Sequence, residues 1–207
     1  LVRNRIEKEG IVPLDSFGNY ESFYRYFIKL LEENAVEEVS VRLMNIRERA
    51  IIAPSPLLSA FMDYSVERGL EYSVGGAKYN LFGLTLTGLS NCVDSLAAIR
   101  KLVFEERAYT LKEVADATKT NFEGNEIMRQ RMLNGVPKFG NDNDYVDSIC
   151  VRLMADFAEI ISRLRVRFSN ENILLAPGVA TFEYFVKWGH DIGASADGRT
   201  AQSPVAS

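Results

Sequence analysis

His190 is the only histidine in this 207-residue sequence, and an imidazole that titrates near neutrality is the first group to weigh as a general acid or base. No partner for it is visible in the sequence, so a structural or surface role is the simpler expectation. Asp63 and Glu67 fall one helical turn apart, and paired carboxylates can do acid/base work, but on an amphipathic helix this spacing more simply makes a solvated face. Asn141-Asp142-Asn143-Asp144 offers the oxygens of a calcium loop without its glycine or its distal bidentate glutamate, and side-chain bonds to turn amides account for the cluster. Gly83 and Gly88, followed by Ser90, suggest a phosphate loop, yet Leu89 stands where the phosphate-binding lysine belongs. Cys92 and Cys150, the two cysteines, give neither a disulfide framework nor, with one histidine, the ligand spacing of a metal site.

The frame that must position these residues reads as helix-rich. Phe23, Phe27, Leu30, Leu31, Val39 and Leu43 recur every three or four positions among Glu and Arg, which predicts one long helix over residues 16–51, broken near Asn34. Ser55 and Pro56 open a helix over 57–68 that Gly69 closes. A glycine turn at Gly75-Gly76 feeds a strand over 77–82, and the loop over 83–90 is expected to take positive backbone dihedrals at Gly83 and Gly88. Helix follows over 92–106. Thr110-Leu111-Lys112-Glu113 has the form of a capping box and starts a helix over 111–120, with more helix over 126–133. Residues 137–144 are a turn cluster, and Asp144 is the predicted cap of a long amphipathic helix over 145–167. A strand end or loop at 176–182, a short aromatic helix over 182–188 and a turn at 193–199 complete the pattern.

Composition narrows the function classes. With 47% hydrophobic and 25% charged residues, a chain of this length can bury a sizeable core and suits one globular domain or little more. The net charge of −4, with basic residues scattered among acidic ones, offers no surface for a phosphate backbone, so nucleic acid is not an expected partner. No apolar run approaches the ~20 residues of a bilayer span, and no signal-peptide pattern is present. A cytoplasmic location is the expectation, and the sparse cysteines fit a reducing compartment.

Three separated motifs occur in succession: Gly75-Gly76-Ala77-Lys78-Tyr79-Asn80 with Asp94-Ser95-Leu96, then Pro137-Lys138-Phe139-Gly140-Asn141-Asp142, then Gly193-Ala194-Ser195-Ala196-Asp197-Gly198-Arg199. Their order and spacing resemble the glycyl radical enzymes of the pyruvate formate-lyase family across residues 17–207, with the glycerol dehydratase-like branch nearer than pyruvate formate-lyase itself. The chain departs from the family at Thr200-Ala201-Gln202-Ser203, where alanine-glycine commonly follows the arginine. The resemblance implies an α/β fold: a ten-stranded α/β barrel of two antiparallel halves of parallel strands, of which residues 1–207 form a helix-rich piece of the second half, truncated at both ends. A start at Leu1-Val2-Arg3 and a finish just after a turn-rich stretch agree with a piece of a longer polypeptide.

In such enzymes a partner activase, using S-adenosylmethionine and an iron–sulfur cluster, installs a glycine radical near the C-terminus. That radical takes hydrogen from a cysteine on a central loop, and the thiyl radical attacks the substrate inside a closed barrel that excludes water and oxygen. The family's Gly-Cys-Val-Glu loop is expected upstream of Leu1 and its Arg-Val-Ser/Thr-Gly-Tyr motif downstream of Ser207, so no cofactor is expected on these residues themselves. Asn91-Cys92-Val93-Asp94 mimics the cysteine loop and makes Cys92 the thiyl candidate of this chain. Against it, Asn91 replaces a glycine and the following residues belong to another family motif, so a buried cysteine acting as a small hydrophobe is the preferred expectation.

Position in the family puts residues 177–182 at the barrel mouth, with Val179 and Phe182 giving a substrate site apolar shape and Thr181 a hydroxyl; ordinary strand-end packing is the alternative. Arg199 is expected to pair a carboxylate or carbonyl elsewhere in the barrel. The implied activity is that of a lyase or dehydratase of anaerobic metabolism acting on a small polar organic substrate, with an activase partner and a homodimeric parent. Acyl transfer to coenzyme A is the alternative enzyme, and a catalytically silent helix-rich module the alternative outside enzymes.

Overall fold

The computed structural model describes residues 12–180 and 185–206. The chain divides into two compact units, one of Leu1–Phe27, Leu86–Ala155 and Val179–Ser207, the other of Ile28–Thr85 and Asp156–Gly178. Helix α1 (Tyr20–Ile52) runs from the first unit into the second and is followed by the short helices α2 (Pro56–Ala60) and α3 (Ser65–Arg68) and by strand β1 (Leu81–Leu86). Then come α4 (Leu89–Ala98), a π-helical continuation (Ile99–Glu105), α5 (Leu111–Lys119), α6 (Glu126–Asn134), α7 (Asp144–Arg167), strand β2 (Leu174–Val179) and α8 (Phe185–Asp191).

Most of the sheet lies in the second unit. Leu174 N donates to Asn80 O at 2.8 Å and Ala180 N to Leu86 O at 3.4 Å, so the register advances in the same direction along both strands and the pair is parallel. Phe82 and Leu84 are buried while Leu81, Gly83 and Thr85 are exposed, which gives β1 one covered and one open face at the two-residue period of a strand. Val39, Ile160, Ile161 and Leu164, each at most 1% exposed, supply much of the core, and burying each side chain contributes about 1.5–3 kcal/mol. Forked ion pairs lock the rim: Arg163 onto Glu32 at 2.7 and 2.8 Å, and Arg47 onto Glu171 at 2.6 and 2.7 Å. Arg165 Nε reaches Leu175 O at 2.8 Å and ties α7 to β2.

Several expectations for this unit shift. The strand starts at Leu81 rather than at residue 77, because the carbonyls of Gly75, Gly76 and Ala77 are gathered by Arg68 Nη1 and that stretch stays in a turn. Gly83 lies inside the strand with open space around its Cα, so it is no corner; Gly88, at φ +71°, is. Helix α1 is unbroken at Asn34, whose amide donates back to Leu30 O at 2.7 Å and stays within the helix. The helix predicted over 57–68 is two short pieces, interrupted at Tyr64 with φ +74°. Asp63 therefore falls outside both, and its carbonyl accepts from Lys78 N at 3.0 Å.

The described residues of the first unit are mainly helix and turn around Val93, Leu96, Leu102, Met132, Val146 and Leu153. The capping box is present: Thr110 Oγ1 accepts from Glu113 N at 3.2 Å and Glu113 Oε2 from Thr110 N at 2.7 Å. Asn143, not Asp144, caps α7, its side chain accepting from Tyr145 N at 3.1 Å. Where one continuous helix was predicted over 92–106, the α-helix ends at Ala98 and the next turns are π-helical, closing with Glu106 N on Lys101 O at 2.8 Å. Among the described residues, no helix is long and apolar enough to cross a membrane.

Candidate functional site

Three segments read as motifs meet in one polar cluster of the first unit. Asn91 and Asp94 stand three residues apart near the start of α4 and so share a face. Asp94 Oδ1 accepts from Phe139 N at 2.8 Å, while the neighbouring Lys138 Nζ donates to Met132 O at 2.8 Å and to Asp197 O at 3.0 Å. Asp197, 5% exposed, is the hub: its Oδ1 accepts from Ser195 Oγ at 2.6 Å and Arg199 N at 3.1 Å, its Oδ2 from Asn91 Nδ2 at 2.5 Å.

Arg199, 9% exposed, collects carbonyls of its own loop, with Nη1 on Ser203 O at 2.6 Å and Thr200 O at 3.2 Å and Nη2 on Gly193 O. Its partners are thus local, not elsewhere in a barrel. Gly198 permits the tight turn, at φ +93° and with Leu133 Cγ only 2.6 Å from where a Cβ would stand.

Electrostatics follow from burial. Desolvation pushes the Asp94 carboxyl above its ordinary range, against the pull of the Phe139 amide and the Lys138 charge. Desolvation likewise pushes Lys138 below the usual lysine value, against the carboxylates of Asp94 and Asp197. The donors and acceptors of this cluster are directed at backbone groups and at one another, so its chemistry is to fix chain segments rather than to move protons.

The remaining candidates lie apart from any such hub or at its edge. Cys92 sits between Asn91 and Asp94 on the helix, and burial first, then the Asp197 charge, push its thiol up to about 12. Cys150 is buried within α7, and both cysteines are free. His190 is exposed in the last turn of α8, with Nδ1 3.4 Å from the Asp191 carboxylate. Val179 ends β2 at 48% exposure; by strand alternation it falls on the side of Leu175, whereas Gly178 shares the side of Thr85, whose Oγ1 is 3.4 Å from its would-be Cβ. Thr181 and Phe182 lie outside the described residues. No group of three or more potential metal ligands gathers among the described residues. Sequence reasoning overlooked Asn91, Lys138 and Ser195 as structural polar groups. The i, i+3 spacing of Asn91 and Asp94 was the available signal.

The sequence matches the pyruvate formate lyase-like family over residues 6–176, and the chain belongs to that family. It is 32% identical over 200 residues to the trans-4-hydroxy-L-proline dehydratase of Clostridioides difficile, an alignment that covers 92% of this chain and 24% of that enzyme. The glycerol-bound B12-independent glycerol dehydratase from Clostridium butyricum superposes with a TM-score of 0.81 at 27% identity, over 93% of this chain and 24% of its own. A glycyl radical enzyme from Archaeoglobus fulgidus superposes with a TM-score of 0.69 at 26% identity, over 86% and 22%. The chain thus spans about a quarter of the length of these relatives. Its architecture is a helix-rich α/β portion of the glycyl radical enzyme barrel.

Proposed function

We propose that the parent of this chain is a glycyl radical lyase or dehydratase acting on a small polar, hydroxylated substrate, as trans-4-hydroxy-L-proline and glycerol are for its relatives. The observation that carries this reading is the meeting of residues from three family motifs in one cluster, the half-buried Asp94 and Lys138 with the buried Asp197 and Arg199, in a chain that follows dehydratase structures along nearly its whole length. The glycine radical supplies hydrogen abstraction through a cysteine, and neither the Gly-Cys-Val-Glu nor the Arg-Val-Ser/Thr-Gly-Tyr sequence occurs in this chain, so both carriers belong to the rest of the parent. Cys92 is assigned a packing role, since a buried helical thiol is fixed in place rather than presented on a loop.

The contribution of this chain is wall and frame. All residues form part of one barrel domain, the open face of β1 with Leu81, Gly83 and Thr85 lines the interior, and Thr181 and Phe182, in the loop that Val179 begins, touch substrate at the mouth while Val179 itself packs on the opposite side of the sheet. A partner activase using S-adenosylmethionine and an iron–sulfur cluster, a homodimeric parent, a cytoplasmic location and a role in anaerobic metabolism complete the reading. Electron paramagnetic resonance on the anaerobically activated full-length protein is the test: a glycine-centred signal is expected, and its loss on exposure to oxygen. A fully folded, activase-treated parent without that signal would sink the assignment. Thr181→Ala in the same protein is expected to lower turnover or affinity, and unchanged kinetics remove the mouth-loop contact.

A further inference from the structure

We propose that Asn91 is a positioning residue, its carboxamide fastening residues 203–206 to the Asp197 turn and so fixing the path of the chain beyond the third motif. One end of the amide donates from Nδ2 to Asp197 Oδ2 at 2.5 Å, and the other accepts at Oδ1 from Ala206 N at 2.6 Å. The orientation is dictated by chemistry: an ionised carboxylate only accepts and a backbone amide only donates, so the flipped amide would lose both bonds. Asp or Ala at this position cannot serve both partners, which gives a physical reason for asparagine here.

The segment is gripped from other sides as well. Gly189 of α8 lies so close that a Cβ would stand 2.2 Å from Ser203 O and 2.6 Å from Pro204 Cα. Gly88, at φ +71° ahead of α4, leaves room for Val205, whose side chain is 3.7 Å from the would-be Cβ. Val205 is 6% exposed and its N–H donates to Phe185 O at 3.3 Å, while Ser203 O takes Arg199 Nη1 at 2.6 Å. Side chains, a helix and the glycine turn therefore hold one short stretch of backbone; Arg199 links its start at Ser203 to the Asp197 turn, and Asn91 couples its far end at Ala206 to the Asp197 carboxylate. The catalytic consequence rests on the glycyl radical reading. In a parent whose glycine loop follows this chain, the clamp sets the point from which that part of the polypeptide sets out.

Exchanging the two partners tests the idea in the full-length parent. Asn91→Asp places two carboxylates together, and Asp197→Asn sets two amide groups against each other or costs the bonds from Ser195 and Arg199 N. The double variant N91D/D197N restores a matched set: the new carboxylate accepts from Ala206 N and from the new amide, whose oxygen still takes Ser195 Oγ and Arg199 N. Amide hydrogen exchange of Ser203, Val205 and Ala206 is expected to speed up by about tenfold in either single variant and to return to within about twofold of wild type in the double. Singles that fail to fold beside a folded double show the same coupling. Unchanged exchange in the singles, or a double as fast as the faster single, overturns the clamp. In activated enzyme, kcat and radical content per folded protein should fall together in the singles with KM unchanged, and recover in the double. An unaltered kcat in singles whose exchange has risen removes the positioning role. Because exchange is read without activation, a parent lacking any radical signal defeats the glycyl radical assignment and leaves the clamp to be judged separately.

Discussion

Arg68 and Arg199 both turn a guanidinium onto the carbonyls of a glycine turn, in different units and in different surroundings. Arg68 is exposed and bonds Gly75 O at 2.9 Å, Ala77 O at 3.0 Å and Gly76 O at 3.4 Å; Asn172 Nδ2 adds a bond to Gly75 O at 2.7 Å. Arg199 is buried and makes the same kind of fork, but here a carboxylate stands two residues before it, linked to it through Ser195 Oγ, which accepts from Arg199 Nε at 3.2 Å and donates to Asp197. At the surface, water satisfies whatever a guanidinium leaves unbonded. In the interior the positive charge needs a negative neighbour, and that neighbour needs donors of its own, which recruits α4 and the Lys138 segment. Burial, not the turn, explains why one motif reaches across the sequence.

The largest expected effect breaks the buried turn. Arg199→Met should cost about 3 kcal/mol in chemical unfolding, because it removes the guanidinium charge from beside the buried Asp197, strips the Ser203 and Gly193 carbonyls of that donor and takes one of two donors from Thr200 O. A loss below about 1 kcal/mol would erase the contrast with Arg68. Gln202→Gly should stabilise by roughly 1 kcal/mol, since Gln202 holds φ +64° in the region that suits glycine, as Gly75 already does at φ +96° in the other turn. Arg68→Ala should cost about 0.5–1 kcal/mol in the same assay, the range of solvent-competed hydrogen bonds.

The smallest effect is a pH dependence confined to the buried cluster. Asp94 titrates above its ordinary range because burial disfavours its charge, so the native state binds that proton more tightly than the unfolded chain. Stability should fall as pH rises from the ordinary aspartate value of about 4 through the higher native titration, and D94N should flatten that slope. Unfolding curves of the two proteins across this window measure it.

Much of the first unit was legible in the sequence. The Thr110–Glu113 box is a local device whose donors and acceptors lie within one turn, and the turn at 193–199 announces itself by glycine and aspartate. The strand was misplaced because its interior contains Gly83 and because Ala77, Lys78 and Tyr79, plausible strand residues, are held in the turn by Arg68 and by Asp63 O. The break at Tyr64 was equally hidden, since an aromatic in the left-handed region has no sequence signature. Arg199 was read as reaching outward because its acceptors are backbone carbonyls, which every residue carries. Asn91 was noticed only as a residue out of place, and its bonds to Asp197 and Ala206 span separations that no local pattern reveals.

Gln202 is the converse case: its backbone takes φ +64°, the region that suits glycine, and its side chain gives no sign of it.

The helical stretch after Ala98 carries one more implication. In an α-helix of 3.6 residues per turn, side chains five positions apart point well away from each other, but the wider π winding brings them onto the same side. Arg100 therefore meets Glu105 at 2.9 Å and Lys101 comes within 3.9 Å of Glu106, and Glu105 in turn takes the Tyr145 hydroxyl at 3.0 Å. Winding the same seven residues as ordinary α-helix, with none removed, would advance everything after them by roughly 100° and part both pairs at once. A seven-residue widening thus acts as a gear tooth, setting the angular phase at which Phe104 meets Tyr20 and Phe23.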